Sequence, residues 1–203
     1  MTLVLDPFYL IVDNATWVRR LVPLGVKLVQ LRIKGESDAA IASQIREAKI
    51  CCEQHGAQLV VNDHWRLAIA EGCTFVHLGQ EDVARADLAA IQEAGIRLGV
   101  STHDHTELDQ ALSVAPDYVA LGPIHPTVLK QMPWGPQGLS RITEWKQLIG
   151  EIPLVAIGGL TIDRVPGVLA AGADSAAVVT DILRHPDPEQ QTRRWISSTR
   201  IMG

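Results

Sequence analysis

Charged side chains recur in this chain where short apolar runs give out. In Lys27-Leu28-Val29-Gln30-Leu31-Arg32-Ile33-Lys34, branched apolar residues alternate with polar ones, so Gln30, Arg32 and Lys34 share one strand face with Leu28. That face runs from apolar into amide, guanidinium and ammonium. Charge is costly to bury unless it is paired or given a ligand, and a row of this kind suits an anion. Asp63 follows the run Gln58-Leu59-Val60-Val61, and Asp82 follows Thr74-Phe75-Val76-His77-Leu78. Coming after neighbouring runs, the two can converge on one hard cation. Two carboxylates with water and phosphate oxygens suit Mg²⁺, which rarely takes an all-protein cage. A second reading stands level on spacing alone, in which each carboxylate caps the next helix, as Asp63 before Trp65 invites. Lys130 adds a third base. A pyrophosphate bridging the cation and the bases then explains more than a cap and a solvated rim do.

These groups need a frame. The runs Phe8 to Val12, Lys27 to Lys34, Gln58 to Val61, Thr74 to Leu78, Arg97 to Val100, Tyr118 to Leu121, Pro153 to Ile157 and Ser175 to Val179 read as strands. Between them lie helical patterns, among them Ala39 to His55 stopped by Gly56, Trp65 to Glu71, Ala86 to Ala94, Glu107 to Ala115, Leu139 to Leu148 and Arg164 to Ala171. A last helix is predicted over Pro188 to Thr199. About eight strand-then-helix units without a break in composition predict an α/β chain that folds, over residues 1–203, as a single-domain (β/α)8 TIM barrel. An open dinucleotide-binding sheet would carry a glycine-rich loop after its first strand, and Val12-Asp13-Asn14 has none.

In such barrels the site lies at the carboxyl ends of the strands. Those positions hold Gln30, Arg32, Lys34, Asn62, Asp63, Gln80, Asp82, Ser101, His103, Lys130, Gly158, Gly159 and Thr180, whereas the opposite loops are mostly Gly, Ala and Pro. Gly158-Gly159 after the seventh strand and Val179-Thr180 after the eighth match the usual phosphate position of the fold. Backbone N–H groups there can take a phosphate without a cationic side chain; paired glycines can also simply make a tight turn. Two phosphate sites, one with metal and one without, point to two phosphorylated substrates.

The totals narrow the class further. Of 203 residues, 47% are hydrophobic and 20% charged, the net charge is -5 and the pI is about 5.8, so no basic field invites nucleic acid. Three cysteines without CxxC spacing, Cys51, Cys52 and Cys73, predict reduced core residues and a cytoplasmic protein. No run reaches membrane-spanning length. The histidines are scattered and predict no His-metal site. Trp17, Trp65, Trp145 and Trp195 fall in helices as packing anchors, while Trp134 sits in the Pro- and Gly-rich loop from Ile124 to Gly138 that carries Lys130. That loop is expected to close over substrate.

With these motifs in order, the chain resembles thiamine phosphate synthase over nearly its full length. The match runs through Val29-Gln30-Leu31-Arg32-Ile33-Lys34, Val61-Asn62-Asp63-His64-Trp65-Arg66-Leu67-Ala68 and Val76-His77-Leu78-Gly79-Gln80-Glu81-Asp82. It continues through Gly99-Val100-Ser101-Thr102-His103, Lys130-Gln131-Met132-Pro133 and Val155-Ala156-Ile157-Gly158-Gly159. The resemblance implies a transferase of thiamine biosynthesis that joins a hydroxymethylpyrimidine pyrophosphate to a thiazole phosphate and releases pyrophosphate. It implies that Arg32, Lys34, Asn62 and Lys130 hold the pyrophosphate and that Asp63 and Asp82 hold Mg²⁺. Gln30 and Ser101 would lie near the pyrimidine, and Thr127, Gly159, Val179 and Thr180 would line the thiazole phosphate site. The reaction implied passes through a pyrimidine cation without a nucleophilic side chain, so Arg32, Lys34, Ser101 and Lys130 would act by charge and position.

One position departs from the family pattern. Leu129 stands where a Ser or Thr usually precedes the lysine, and it has no hydroxyl to donate. A hydrogen bond to a charged phosphate is worth roughly 1.5–3 kcal/mol, so the KM for the thiazole partner is expected to be raised. Leu129→Thr should lower it in steady-state assays; no improvement would count against this explanation. Two rival readings remain, a thiazole tautomerase and a silent phosphate-binding barrel of thiamine metabolism. Neither needs Arg32, Lys34, Asp63, Asp82 and Lys130 together.

Overall fold

The computed structural model describes residues 3–127 and 134–200. Its strands are β1 (Phe8–Val12), β2 (Leu28–Leu31), β3 (Gln58–Asn62), β4 (Phe75–Leu78), β5 (Arg97–Thr102), β6 (Tyr118–Leu121), β7 (Leu154–Ile157) and β8 (Ser175–Val178). All pair in parallel in chain order, and β1 closes on β8 with Tyr9 beside Ala177. The result is a closed eight-stranded (β/α)8 barrel. Its helices are α1 (Ala15–Leu21), α2 (Asp38–His55), α3 (Trp65–Ala70), α4 (Gln80–Val83), α5 (Leu88–Glu93), α6 (His105–Ser113), α7 (Gly138–Ile149), α8 (Val165–Ala170), α9 (Thr180–Leu183) and α10 (Pro188–Arg200).

Alternation along each strand makes two cores. Tyr9, Leu28, Val60, Phe75, Tyr118, Val155 and Ala177 fill the barrel interior, while Leu10, Val29, Val61, Val76, Val119 and Val178 face the helices. Local signals set the helix ends. Ser37 caps α2 by accepting from the Ala40 N–H, and Gly56 ends it with φ 60°. Cys51, Cys52 and Cys73 are buried, and burial pushes the Cys52 and Cys73 thiols up to about 12 and about 11. They are core residues, as expected. Trp145 and Trp195 are fully buried anchors, but Trp17 and Trp65 are only half-buried and carry the guanidinium groups of Arg20 and Arg66 over their rings.

Several boundaries differ from the sequence reading, among them α6, which starts at His105 rather than Glu107, and β5, which runs on to Thr102. β2 ends at Leu31; Arg32 adds one further backbone bond, to Val12 O at 2.8 Å, and Lys34 lies beyond the ladder at the rim. The helix expected over Ala86 to Ala94 starts at Leu88, because Asp87 caps it by accepting from the Ala90 N–H. Gln80 and Asp82, which follow β4, lie in the short helix α4. The amino end of the barrel is also less bland than its glycines and alanines implied. Asp6, Asp117 and Asp174 accept from the N–H groups of Phe8, Leu98 and Leu154 there, so those carboxylates are committed to strand starts. Among the described residues, no helix is long and apolar enough to cross a membrane.

Candidate active site

At the carboxyl ends of the strands the barrel opens into a cavity of about 870 Å³. Gln30, Arg32, Lys34, Asn62, Asp63, Asp82, Ser101, Thr127, Gly159, Val179 and Thr180 all line it. Lys130 and Leu129 lie outside the described residues. The flanks of that loop are in place, with Trp134 stacked on His103 at 4.3 Å between ring centres and the Gln137 amide donating to His103 O at 2.7 Å.

Gln30 is buried because β2 turns it inward above Leu28, whereas Arg32 and Lys34 stand exposed at the rim. The Lys34 ammonium donates to the Asp63 carboxylate. Asp63 does not cap α3, whose first turn has no side-chain cap, and Asp82 sits inside α4 rather than ahead of it. The capping alternative therefore fails for both carboxylates. Asp63 is the central residue of a tight turn in which the His64 N–H donates to Asn62 O at 2.7 Å. Its φ of 62° is a left-handed value that Asp and Asn tolerate better than other side chains do. Strain of this kind persists only where the surroundings impose it, and it gathers at binding sites.

The two carboxylates act on each other electrostatically. Burial would raise the Asp63 carboxyl, but the bonded Lys34 ammonium outweighs it and holds Asp63 below the usual carboxylate range. Burial and the Asp63 charge together push Asp82 up. Two hard oxygen ligands whose charges oppose each other are what a divalent cation relieves, so the pair fits Mg²⁺. Among the described residues no cluster of three or more His, Cys, Asp or Glu forms, so the ion's remaining ligands would be water or substrate oxygens.

On the far side of the barrel, Gly158 and Gly159 follow β7 with φ of 100° and 65°. A Cβ on Gly159 would lie 2.4 Å from Pro126 O and 2.9 Å from the His125 carbonyl carbon. Only glycine lets the two backbones approach this closely. Thr180 opens α9 beside them, after Val179.

The barrel floor holds polar groups that the sequence reading passed over. His77 Nε2 lies 2.8 Å from Ser101 Oγ, and the Tyr118 hydroxyl lies 2.7 Å from His77 Nδ1. The Tyr9 and Tyr118 hydroxyls are 3.0 Å apart, and the Gln30 amide donates to Tyr9 at 3.0 Å. The signal that could have found His77 was the alternation itself, since two residues after Phe75 it faces the interior as Gln30 does. Burial lowers the His77 pKa from 6.5 to about 4, against the opposing pull of the Asp63 charge. Between those values the unfolded chain binds a proton that the folded one refuses. Stability should therefore fall as pH drops below about 6.5, and the loss should be complete near 4, an effect of about 3 kcal/mol. Urea titrations at about pH 7 and about pH 4 should show that extra loss in the wild type relative to His77→Gln.

The family model described as thiamine monophosphate synthase matches residues 3–182. A thiamine-phosphate synthase of Rhizobium etli is 63% identical over 195 residues, covering 96% of each chain. One from Pectobacterium atrosepticum is 50% identical, covering 91% of this chain and 87% of its own. Among solved structures, a thiamine phosphate pyrophosphorylase from Pyrococcus furiosus superposes with a TM-score of 0.86 at 24% identity, over 97% of this chain and 96% of its own, a likeness of fold.

Proposed function

The chain belongs to the thiamine monophosphate synthase family, and from that membership we propose the reaction and the roles of its residues. The protein joins 4-amino-2-methyl-5-hydroxymethylpyrimidine pyrophosphate to 4-methyl-5-(2-phosphoethyl)thiazole, in plain or carboxylated form. The products are thiamine phosphate and pyrophosphate. The observation that carries this reading is the pairing of two unlike ends in one cavity. Lys34, Asp63 and Asp82 gather charge after β2, β3 and β4, and the glycine turn Gly158-Gly159 faces them from β7.

Arg32, Lys34, Asn62 and Lys130 bind the pyrophosphate. Asp63 and Asp82 would hold Mg²⁺, which when bound supplies positive charge to the departing oxygens. Gln30 and Ser101 orient the pyrimidine from the cavity floor. Thr127, Gly159, Val179 and Thr180 receive the thiazole phosphate through backbone and hydroxyl donors. The bond from the pyrimidine methylene carbon to the pyrophosphate oxygen breaks first, and the electron-rich ring bears the positive charge. The thiazole nitrogen then forms the new C–N bond, held near that carbon by its anchored phosphate. No side chain forms a covalent bond. Arg32, Lys34, Ser101 and Lys130 act by charge and position. The chain works as one catalytic domain in the cytoplasm, on small molecules rather than nucleic acid or membrane.

The test is a turnover assay with both phosphorylated substrates and Mg²⁺. Thiamine phosphate and pyrophosphate should appear in equal amounts, and only when both substrates are present. Folded protein giving no product above background would overturn the reading.

A further inference from the structure

Five polar groups cross the otherwise apolar interior of the barrel, from Gln30 on β2 to Ser101 on β5. In order they are the Gln30 amide, the Tyr9 and Tyr118 hydroxyls, the His77 imidazole and the Ser101 hydroxyl, linked at 3.0, 3.0, 2.7 and 2.8 Å. Packing alone does not call for them, because phenylalanines would fill the same space without burying hydroxyls. The backbone makes room for the chain instead. A Cβ on Gly99 would lie 2.1 Å from the Tyr118 ring, so only glycine on β5 lets that ring reach His77. Both ends of the chain open into the cavity.

The Gln30 amide donates to Tyr9, and from there one order of donation gives every buried hydroxyl proton a partner. In that order Tyr9, already accepting from Gln30, gives its own proton to the Tyr118 hydroxyl 3.0 Å away. Tyr118 would then donate to His77 Nδ1, 2.7 Å away, and the imidazole proton would sit on Nε2, 2.8 Å from Ser101 Oγ. Ser101 would then keep its own proton to give and Gln30, with its Nε2 on Tyr9, its Oε1 to accept, and both residues line the cavity. We infer that this relay makes His77 a positioning residue, holding Ser101 as the floor's donor and Gln30 as its acceptor. An aminopyrimidine presents the matching edge, a ring nitrogen beside an amino group. The ring nitrogen meets Ser101 and the amino group meets Gln30. Reversing the relay would exchange the two partners and turn the ring over, moving its reactive methylene. A 4-oxo analogue presents a ring N–H beside a carbonyl, the wrong sense for the same floor.

The inference rests on the proposed pyrimidine site, but its first test does not. In the free enzyme, ¹⁵N correlation spectra should show His77 as a neutral imidazole protonated on Nε2; an Nδ1–H or doubly protonated ring would overturn the relay. The second test compares two variants. Gln places an N–H near the position of Nε2, whereas Asn cannot reach Ser101. His77→Asn should raise the KM for the pyrimidine pyrophosphate about tenfold, the equivalent of one hydrogen bond. His77→Gln should recover most of that loss, and the KM for the thiazole phosphate should be unmoved in both. Equal losses in the two variants, or losses shared by both substrates, would reduce His77 to packing. Wild type that turns over neither substrate would instead fail the functional reading, and the spectra would still decide the relay.

Discussion

Asp63→Asn is expected to lower kcat/KM for the pyrimidine pyrophosphate about 10²–10³-fold, the usual cost of weakening one electrostatic contact to a departing group, here the cation that Asp63 would hold. The substitution is a clean one. Asn accepts the left-handed φ of 62° that the turn imposes, so the backbone need not move. What disappears is the carboxylate bonded to Lys34 and paired with Asp82. With Asp63 neutral, the charge that pushes Asp82 up is gone, so Asp82 should titrate closer to the ordinary range. Asp82 cannot compensate, because a single carboxylate leaves the cation held mainly by substrate and water. Steady-state kinetics at several Mg²⁺ concentrations check this. A variant with wild-type kcat/KM and wild-type metal dependence would remove Asp63 from the site.

Gly159→Ala is the second large effect. The added methyl would lie 2.4 Å from Pro126 O and 2.9 Å from the His125 carbonyl carbon. These are backbone atoms and cannot rotate away, and the φ of 65° is itself strained for alanine. The turn must open, and its N–H groups then lose their aim at the thiazole phosphate. Losing one such bond to a charged phosphate costs roughly 1.5–3 kcal/mol, so the KM for the thiazole phosphate should rise roughly 10- to 100-fold. The KM for the pyrimidine pyrophosphate should change little, since that substrate binds across the barrel. Circular dichroism distinguishes a local opening from general unfolding. Equal rises in both KM values would contradict two separate phosphate sites.

Much of the frame could be read from residue order. Strand alternation put Gln30 inside the barrel, and the apolar-then-charged pattern placed Arg32 and Lys34 at its rim, because period-two geometry is a local property of the chain. The choice between cap and metal ligand at Asp63 was not local. It depended on a tight turn with positive φ and on Lys34 arriving from another strand. His77 was missed for a related reason. A lone histidine in Phe75-Val76-His77-Leu78 looks like any core histidine until Tyr118, 41 residues away, is seen bonded to its ring. Asp87 shows the limit at element ends, where one capping carboxylate moved a helix start that hydrophobic periodicity had placed earlier.

The central claim is that the mouth of this barrel holds two phosphate sites, one built on carboxylates and metal and the other on backbone. Calorimetric titration of each substrate, with and without Mg²⁺, into wild type and Asp63→Asn tests it most directly. The pyrimidine pyrophosphate should bind wild type with Mg²⁺ far more tightly than wild type without it or Asp63→Asn with it, while the thiazole phosphate should bind both proteins equally with or without the ion. Thiazole phosphate binding that also required Mg²⁺ and Asp63 would contradict the claim.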